Sequence, residues 1–106
     1  MGREKDRYVP RLAFAMYKNG NPAGAMETLT FNRTTALGTL VAAFIQLSAK
    51  EYPAMLESAR KAVALNSGKP VMIPADWSEP AVEFERLKKR HSGEMTGALR
   101  RAFRIR

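Results

Sequence analysis

The segment from Thr34 to Lys50 constrains the fold more than any other part of this chain. Its centre, LVAAFI at positions 40–45, is six apolar residues without a break, and small or apolar residues flank it on both sides. A helix that is apolar on every side has to be buried inside a protein. We therefore predict a buried central helix over about residues 34–50, with the hydroxyl of Thr34 or Thr35 capping its first turn.

A second helix is predicted directly after the first. Pro53 disfavours helical geometry at Tyr52, so the chain breaks there and restarts as PAMLESARKAVALN, residues 53–66. Ser67 and Gly68 then stop the helix. Two helices joined by so short a connection should pack as an antiparallel hairpin.

Residues 11–31 permit two interpretations. An apolar face built from Leu12, Ala13, Met16 and Tyr17 favours a helix that starts at Pro10. The residues at 12, 14 and 16 also alternate, which is typical of a strand that could form a hairpin with 25–31 across NGNPAG. Alanine and methionine favour helix for 10–18, and both alternatives stay open for 22–31.

The last third of the chain is predicted to be an extended connection followed by basic helices. KPVMIPADWSEP, residues 69–80, holds three prolines, which exclude a regular helix and disfavour a central strand. We expect an extended connection that lays Val71, Ile73 and Trp77 across the core. A helix should follow Ser78 and end at Gly93. Residues 94–106 would then form an amphipathic basic helix.

These elements predict a single, mainly α domain over residues 1–106. It would be a compact helical bundle around the helix at about 34–50, with 53–66 as its antiparallel neighbour and basic C-terminal helices. Residues 1–8 and about 104–106 should be frayed. The alternative is an α+β fold with an N-terminal hairpin formed by 11–18 and 25–31.

Positive charge is concentrated at one end of the chain. The net charge is +8, and residues 86–106 hold eight positive side chains against Glu94 alone. Such a cluster is typical of a surface that binds an anion, most often nucleic acid, because each cation can neutralise a phosphate. Arg11, Lys18 and Arg33 would extend this surface if the fold places them nearby. The predicted nucleic-acid-binding residues are Lys88, Lys89, Arg90, Arg100, Arg101, Arg104 and Arg106.

Catalysis is not expected from this sequence. Cysteine is absent, His91 is the single histidine, and no His, Asp or Glu cluster has metal-ligand spacing, so we predict no catalytic residue, metal or cofactor. The stretch from Asn66 to Pro70 lacks the first glycine and the final Ser or Thr of a phosphate-binding loop. With neither a secretory signal nor an apolar run long enough for a membrane span, a cytoplasmic protein is expected.

Two functional hypotheses follow. The first is a non-catalytic nucleic-acid-binding protein, or a small basic subunit of a nucleoprotein assembly, that contacts the phosphate backbone. The alternative is a small protein-binding adaptor or inhibitor, of the type that mobile elements encode, which occludes a partner protein. Met26, Met72, Trp77 or Tyr52 would supply its anchor. Binding of the 94–106 helix to a membrane surface ranks third.

Overall fold

The computed structural model of this chain describes residues 2–30 and 35–105. Within them the fold is mainly α, as predicted, with six helices and two short strands. The elements are α1 (Gly2–Lys18), α2 (Pro22–Leu29), α3 (Ala36–Ser48), α4 (Tyr52–Leu65), β1 (Val71–Ile73), α5 (Glu79–Lys88), α6 (Gly93–Arg100) and β2 (Phe103–Ile105).

Helix α3 is the buried centre of the fold, which confirms the central-helix prediction. Every residue from Leu40 to Ile45 is buried. The helix contacts each of the other five described helices as well as β1. Thr35 caps it, because its hydroxyl accepts a hydrogen bond from the amide of Gly38 at 3.1 Å.

Helix α4 packs antiparallel to α3, also as predicted. Lys50 turns the chain between the two helices with a left-handed φ of 62°. The side-chain amide of Gln46 on α3 lies 2.6 Å from the Ser58 hydroxyl on α4. Thr39, near the start of α3, and Lys61, near the end of α4, line one cleft together with this pair. The two helices therefore run side by side in opposite directions.

The N-terminal hairpin alternative is wrong, because residues 11–18 lie in α1 and residues 25–29 in α2. The Asn21 side chain caps α2 by accepting from the amide of Gly24, and Ala25 and Leu29 are buried one helical turn apart. Phe31 lies outside the described residues. Helix α1 also starts at Gly2, so most of the segment expected to be frayed is helical.

The C-terminal segment differs from the predicted helix over 94–106. Helix α6 ends at Arg100, and β2 pairs in parallel with β1, with Val71 opposite Phe103. Arg104 and Ile105, which we expected to be frayed, lie in this strand. The extended backbone places the Phe103 ring against Phe44 and Phe84, with ring centroids 5.5 and 5.3 Å away.

The proline-rich connection reaches the core as predicted. Val71, Ile73 and Trp77 are all buried. Its strand was missed, since three residues between prolines form a strand only when a partner from a distant part of the chain supplies the hydrogen bonds.

Candidate nucleic-acid interface

A fully buried carboxylate, Glu83, lies between α1 and α5. Its side chain has no exposed surface. Arg86 donates to it twice, from Nε at 2.9 Å and from Nη2 at 2.6 Å. The Tyr17 hydroxyl and the Lys18 ammonium donate to it from α1. A buried carboxylate with several charged donors is a satisfied ion cluster that ties two helices together.

The charge states of this cluster follow from its burial and hydrogen bonds. Burial alone would raise the pKa of Glu83, but the hydrogen bonds from Arg86, Lys18 and Tyr17 outweigh it and lower that pKa to about 2. Burial, together with the hydrogen bond to Glu83, raises the pKa of Tyr17 to about 12. The bond to Glu83 also raises the pKa of Arg86. At neutral pH, Glu83 is therefore ionised and Tyr17 is a neutral donor.

This cluster positions two cations at the protein surface. Lys18 and Arg86 each bond the same carboxylate, and their side chains remain 41% and 37% exposed. One negative charge is thus shared by two positive ones. The excess positive charge faces solvent, because Glu83 itself is enclosed.

A second polar contact joins Tyr52 to His91, and Arg86 of the Glu83 cluster is one of the charges that act on it. The Tyr52 hydroxyl is 3.0 Å from Nδ1 of His91, and the two rings meet edge to face. Burial lowers the pKa of His91, and the positive charges of Lys50, Arg86 and Arg90 lower it further. Of the charged groups in the described part of the chain, only cations shift this pKa. His91 is therefore mainly neutral at pH 7, and three cations act on it.

We call this surface the His91 face and define it by Lys18, Lys50, Arg86 and Arg90 around the Tyr52–His91 pair. Its cations come from the end of α1, the α3–α4 turn, α5 and the α5–α6 turn. Lys50, Arg86 and Arg90 act on His91. Lys18 joins them through Glu83, whose carboxylate it shares with Arg86. The arrangement can hold a multiply charged anion such as a phosphate backbone.

The residues predicted from the sequence are spread over the end of α5, the end of α6 and β2. Helix α6 turns by about 100° per residue, so Arg100 and Arg101 point in different directions. Arg101 lines a groove between α4 and α6, whereas Arg104 is exposed on β2. Lys89 is exposed at the end of α5, and Arg106 lies outside the described residues. Of the predicted set, Arg90 belongs to the His91 face.

Two of the predicted cations contact the rings of Phe84 and Phe103. The Lys88 ammonium lies 5.9 Å from the centroid of Phe84 and 3.5 Å from the Glu85 carboxylate. The Arg100 guanidinium lies 5.0 Å from the centroid of Phe103. The first contact lies within α5 and the second joins the end of α6 to β2, and both leave the two cations less available to a ligand.

Arg100 also covers the open edge of the sheet. The amide of Val71 donates to the carbonyl of Ala102 at 2.8 Å, so that carbonyl points to β1. Backbone carbonyl groups on successive residues of a strand point in opposite directions. The Phe103 carbonyl therefore points away from β1. Arg100 donates to it at 2.7 Å, which satisfies an acceptor that would otherwise be open to another strand.

Three cations of the His91 face were not among the predicted binding residues: Lys18, Lys50 and Arg86. Lys18 had been named as an extension of the basic surface, and the fold does bring it to Arg86 through Glu83. Lys50 had no signal beyond its place in a turn. Of the other suggested extensions, Arg11 instead pairs with Asp76 at 2.9 Å, and Arg33 lies outside the described residues.

Comparison with known proteins found no match to a protein-family model, a curated protein or a solved structure. Within residues 2–30 and 35–105, no three His, Asp or Glu side chains are grouped so as to hold a metal ion. The same residues contain no helix with the length and apolar character needed to cross a membrane.

The titration of His91 tests the electrostatics of this face. We expect its ring signals in a proton NMR titration to show a pKa below the ordinary 6.5. Screening by 1 M salt, or replacement of Lys50 by Asn and Arg90 by Ala, should raise that pKa only in part, because burial is the larger cause. A midpoint at or above 6.5 in the unmodified protein would refute the described surroundings of His91.

Proposed function

We propose that this protein is a non-catalytic nucleic-acid-binding protein, or a small cytoplasmic subunit of a nucleoprotein assembly, which contacts the phosphate backbone through the His91 face. One observation carries the proposal: the positive charges of Lys50, Arg86 and Arg90 all act on His91. Lys18 lies beside Arg86, because both bond the enclosed carboxylate of Glu83. A surface with excess positive charge raises the local concentration of a polyanion and supplies phosphate contacts.

The individual residues would have different roles. Lys50 and Arg90 have no ion-pair partner among the described residues, so they are free to neutralise phosphates. Arg86 and Lys18 are held in place by Glu83 and would present fixed donors at the edge of the site. A phosphate close to His91 would favour the protonated ring and so raise its pKa.

Salt dependence of binding tests this proposal. Fluorescence anisotropy should be measured with a labelled 20-base-pair DNA duplex, a 20-nucleotide DNA strand and a 20-nucleotide RNA, between 50 and 200 mM salt. We expect binding of at least one of these that weakens steeply with salt. The Lys50→Asn/Arg90→Ala variant should reduce the slope of log K against log salt by about 2 for duplex DNA and somewhat less for a single strand. Asparagine is chosen at position 50 because it tolerates the left-handed backbone there.

The matched control removes the same charge elsewhere. Lys61→Ala/Lys69→Ala takes two exposed cations from the far half of α4 and the loop after it, and should leave most of the slope unchanged. Equal losses in both double variants would show that net charge alone drives binding and would contradict a defined face. No binding of any of the three nucleic acids at 50 mM salt would refute the proposed function. A rise in the His91 pKa on saturation would locate the ligand.

A further inference from the structure

A groove lies between the neighbouring helices α4 and α6. It encloses about 410 Å³ and is lined by Leu56, Ala59, Arg60, Val63, Ala98, Arg101 and Ala102. Apart from the two arginines, each lining residue is aliphatic. Three of these residues are alanines, whose short side chains leave space between the two helices. The groove therefore offers an apolar base of small side chains, with one arginine from α4 and one from the residue that follows α6.

The groove is distinct from the His91 face. Tyr52, at the start of α4, contacts His91, just before α6 begins. Val63 and Ala102, near the far ends of these elements, line the groove. Helices α4 and α6 thus run in the same direction, with the His91 face near their starting ends and the groove extending away from it.

The chemistry of the groove favours a protein segment over nucleic acid. Its lining contains no aromatic ring on which a base could stack, and aliphatic floors do not bind phosphates. Among the described residues, no carboxylate lies within ion-pair distance of Arg60 or Arg101. Packing of an apolar stripe between two helices is the usual way in which an amphipathic helix is recognised.

We infer that this groove binds an acidic amphipathic helix of a partner protein. Leu, Ile or Met side chains, spaced three and four residues apart on that helix, would cover the floor formed by Leu56, Val63 and Ala98. Asp or Glu side chains flanking this stripe would pair with Arg60 and Arg101. Such a contact would let the protein join an assembly while its His91 face stays open.

The test uses three synthetic 14-residue helical peptides and a ¹⁵N-labelled sample of the whole protein. The first peptide carries a leucine stripe flanked by glutamates, the second replaces the glutamates with lysines, and the third replaces the leucines with serines. We expect only the first to shift the amide signals of groove residues such as Ala59, Val63 and Ala98. Shifts there with none of the peptides, or equally with all three, would overturn the inference.

Paired variants separate the groove from general electrostatic attraction. Arg60→Ala/Arg101→Ala should weaken binding of the acidic leucine peptide at least fivefold. The control Lys61→Ala/Arg104→Ala removes the same charge outside the groove and should change binding less than twofold. Equal weakening of peptide binding in both double variants would contradict a specific role of Arg60 and Arg101. If the amide signals of groove residues instead moved with a 20-nucleotide DNA strand, or with protein concentration, the groove would bind nucleic acid or a second copy of this chain, and the inference would be refuted. The Lys50→Asn/Arg90→Ala variant tests nucleic-acid binding by the His91 face. It should bind the acidic leucine peptide as the unmodified protein does, so failure of one proposal can be told apart from failure of the other.

Discussion

Replacing Glu83 by Gln is expected to destabilise the protein by about 3 kcal/mol. The side chain is fully buried and accepts hydrogen bonds from Tyr17, Lys18 and Arg86. Glutamine removes the negative charge and places an amide NH₂ against groups that are themselves donors. The two cations then lose their shared anion, and breaking one side of a buried ion cluster is costly. The shift of the Glu83 pKa from 4.5 to about 2 corresponds to a similar free energy.

The same carboxylate gives the stability a defined dependence on acid. The pKa of Glu83 is lower in the folded than in the unfolded protein, so unfolding takes up a proton between the two values. Its contribution is therefore complete above pH 4.5 and is lost as the pH falls towards 2. In the Glu83→Gln variant this part of the acid sensitivity should be missing.

Urea unfolding at pH 7 and at pH 3.5 measures both effects. Glu85→Gln is the matched control, because Glu85 is an exposed glutamate on the same helix whose pairing with Lys88 is long, at 3.5 Å. We expect it to change the free energy of unfolding by less than about 0.5 kcal/mol. If Glu83→Gln behaved like this control, the buried cluster would not exist as described.

Replacing Phe44 by Ala is expected to cost about 3 to 5 kcal/mol. Phe44 is 1% exposed, in the middle of α3. Its ring centroid lies 5.9 Å from that of Phe14 on α1 and 5.5 Å from that of Phe103 on β2. The substitution would open a cavity where the N-terminal helices, the central helix and the sheet meet. Such a loss is a large fraction of the stability of a typical domain.

Thermal and urea unfolding test this prediction, with Val82→Ala as the control. Val82 is 70% exposed on α5, so its truncation should change the unfolding free energy by less than about 0.5 kcal/mol. The Phe44→Ala variant should also lose cooperativity between probes of α1 and of β2, because the removed ring contacts both. Unfolding of Phe44→Ala at the wild-type midpoint would show that α3 is not the centre of the core.

The sequence predicted the elements whose signals are local. The apolar run at 40–45 and the break at Pro53 placed α3 and α4 within two residues of their observed ends. The pairing of β1 with β2 was beyond this reasoning, because the two strands are short and about thirty residues apart along the chain. Residues 103–105 of the predicted C-terminal helix form β2 instead.

The candidate site depended even more on tertiary structure. Charge density along the chain pointed to residues 86–106, but it did not show that Arg100 would cover a strand edge or that Lys18 would meet Arg86. One signal was present and missed. Glu83 precedes the buried Leu87 by four residues, so both lie on the inner face of α5, where a carboxylate needs partners.

The Glu83 cluster also limits how this sequence can diverge. A change at position 83 alone leaves Lys18 and Arg86 without their anion, whereas joint replacement of the cluster by apolar side chains of similar volume can be neutral. A single substitution therefore gives a less stable protein, whereas joint substitution of the cluster avoids this loss of stability. In a population of related sequences, positions 17, 18, 83 and 86 should vary together, although 65 residues separate Lys18 from Glu83 along the chain.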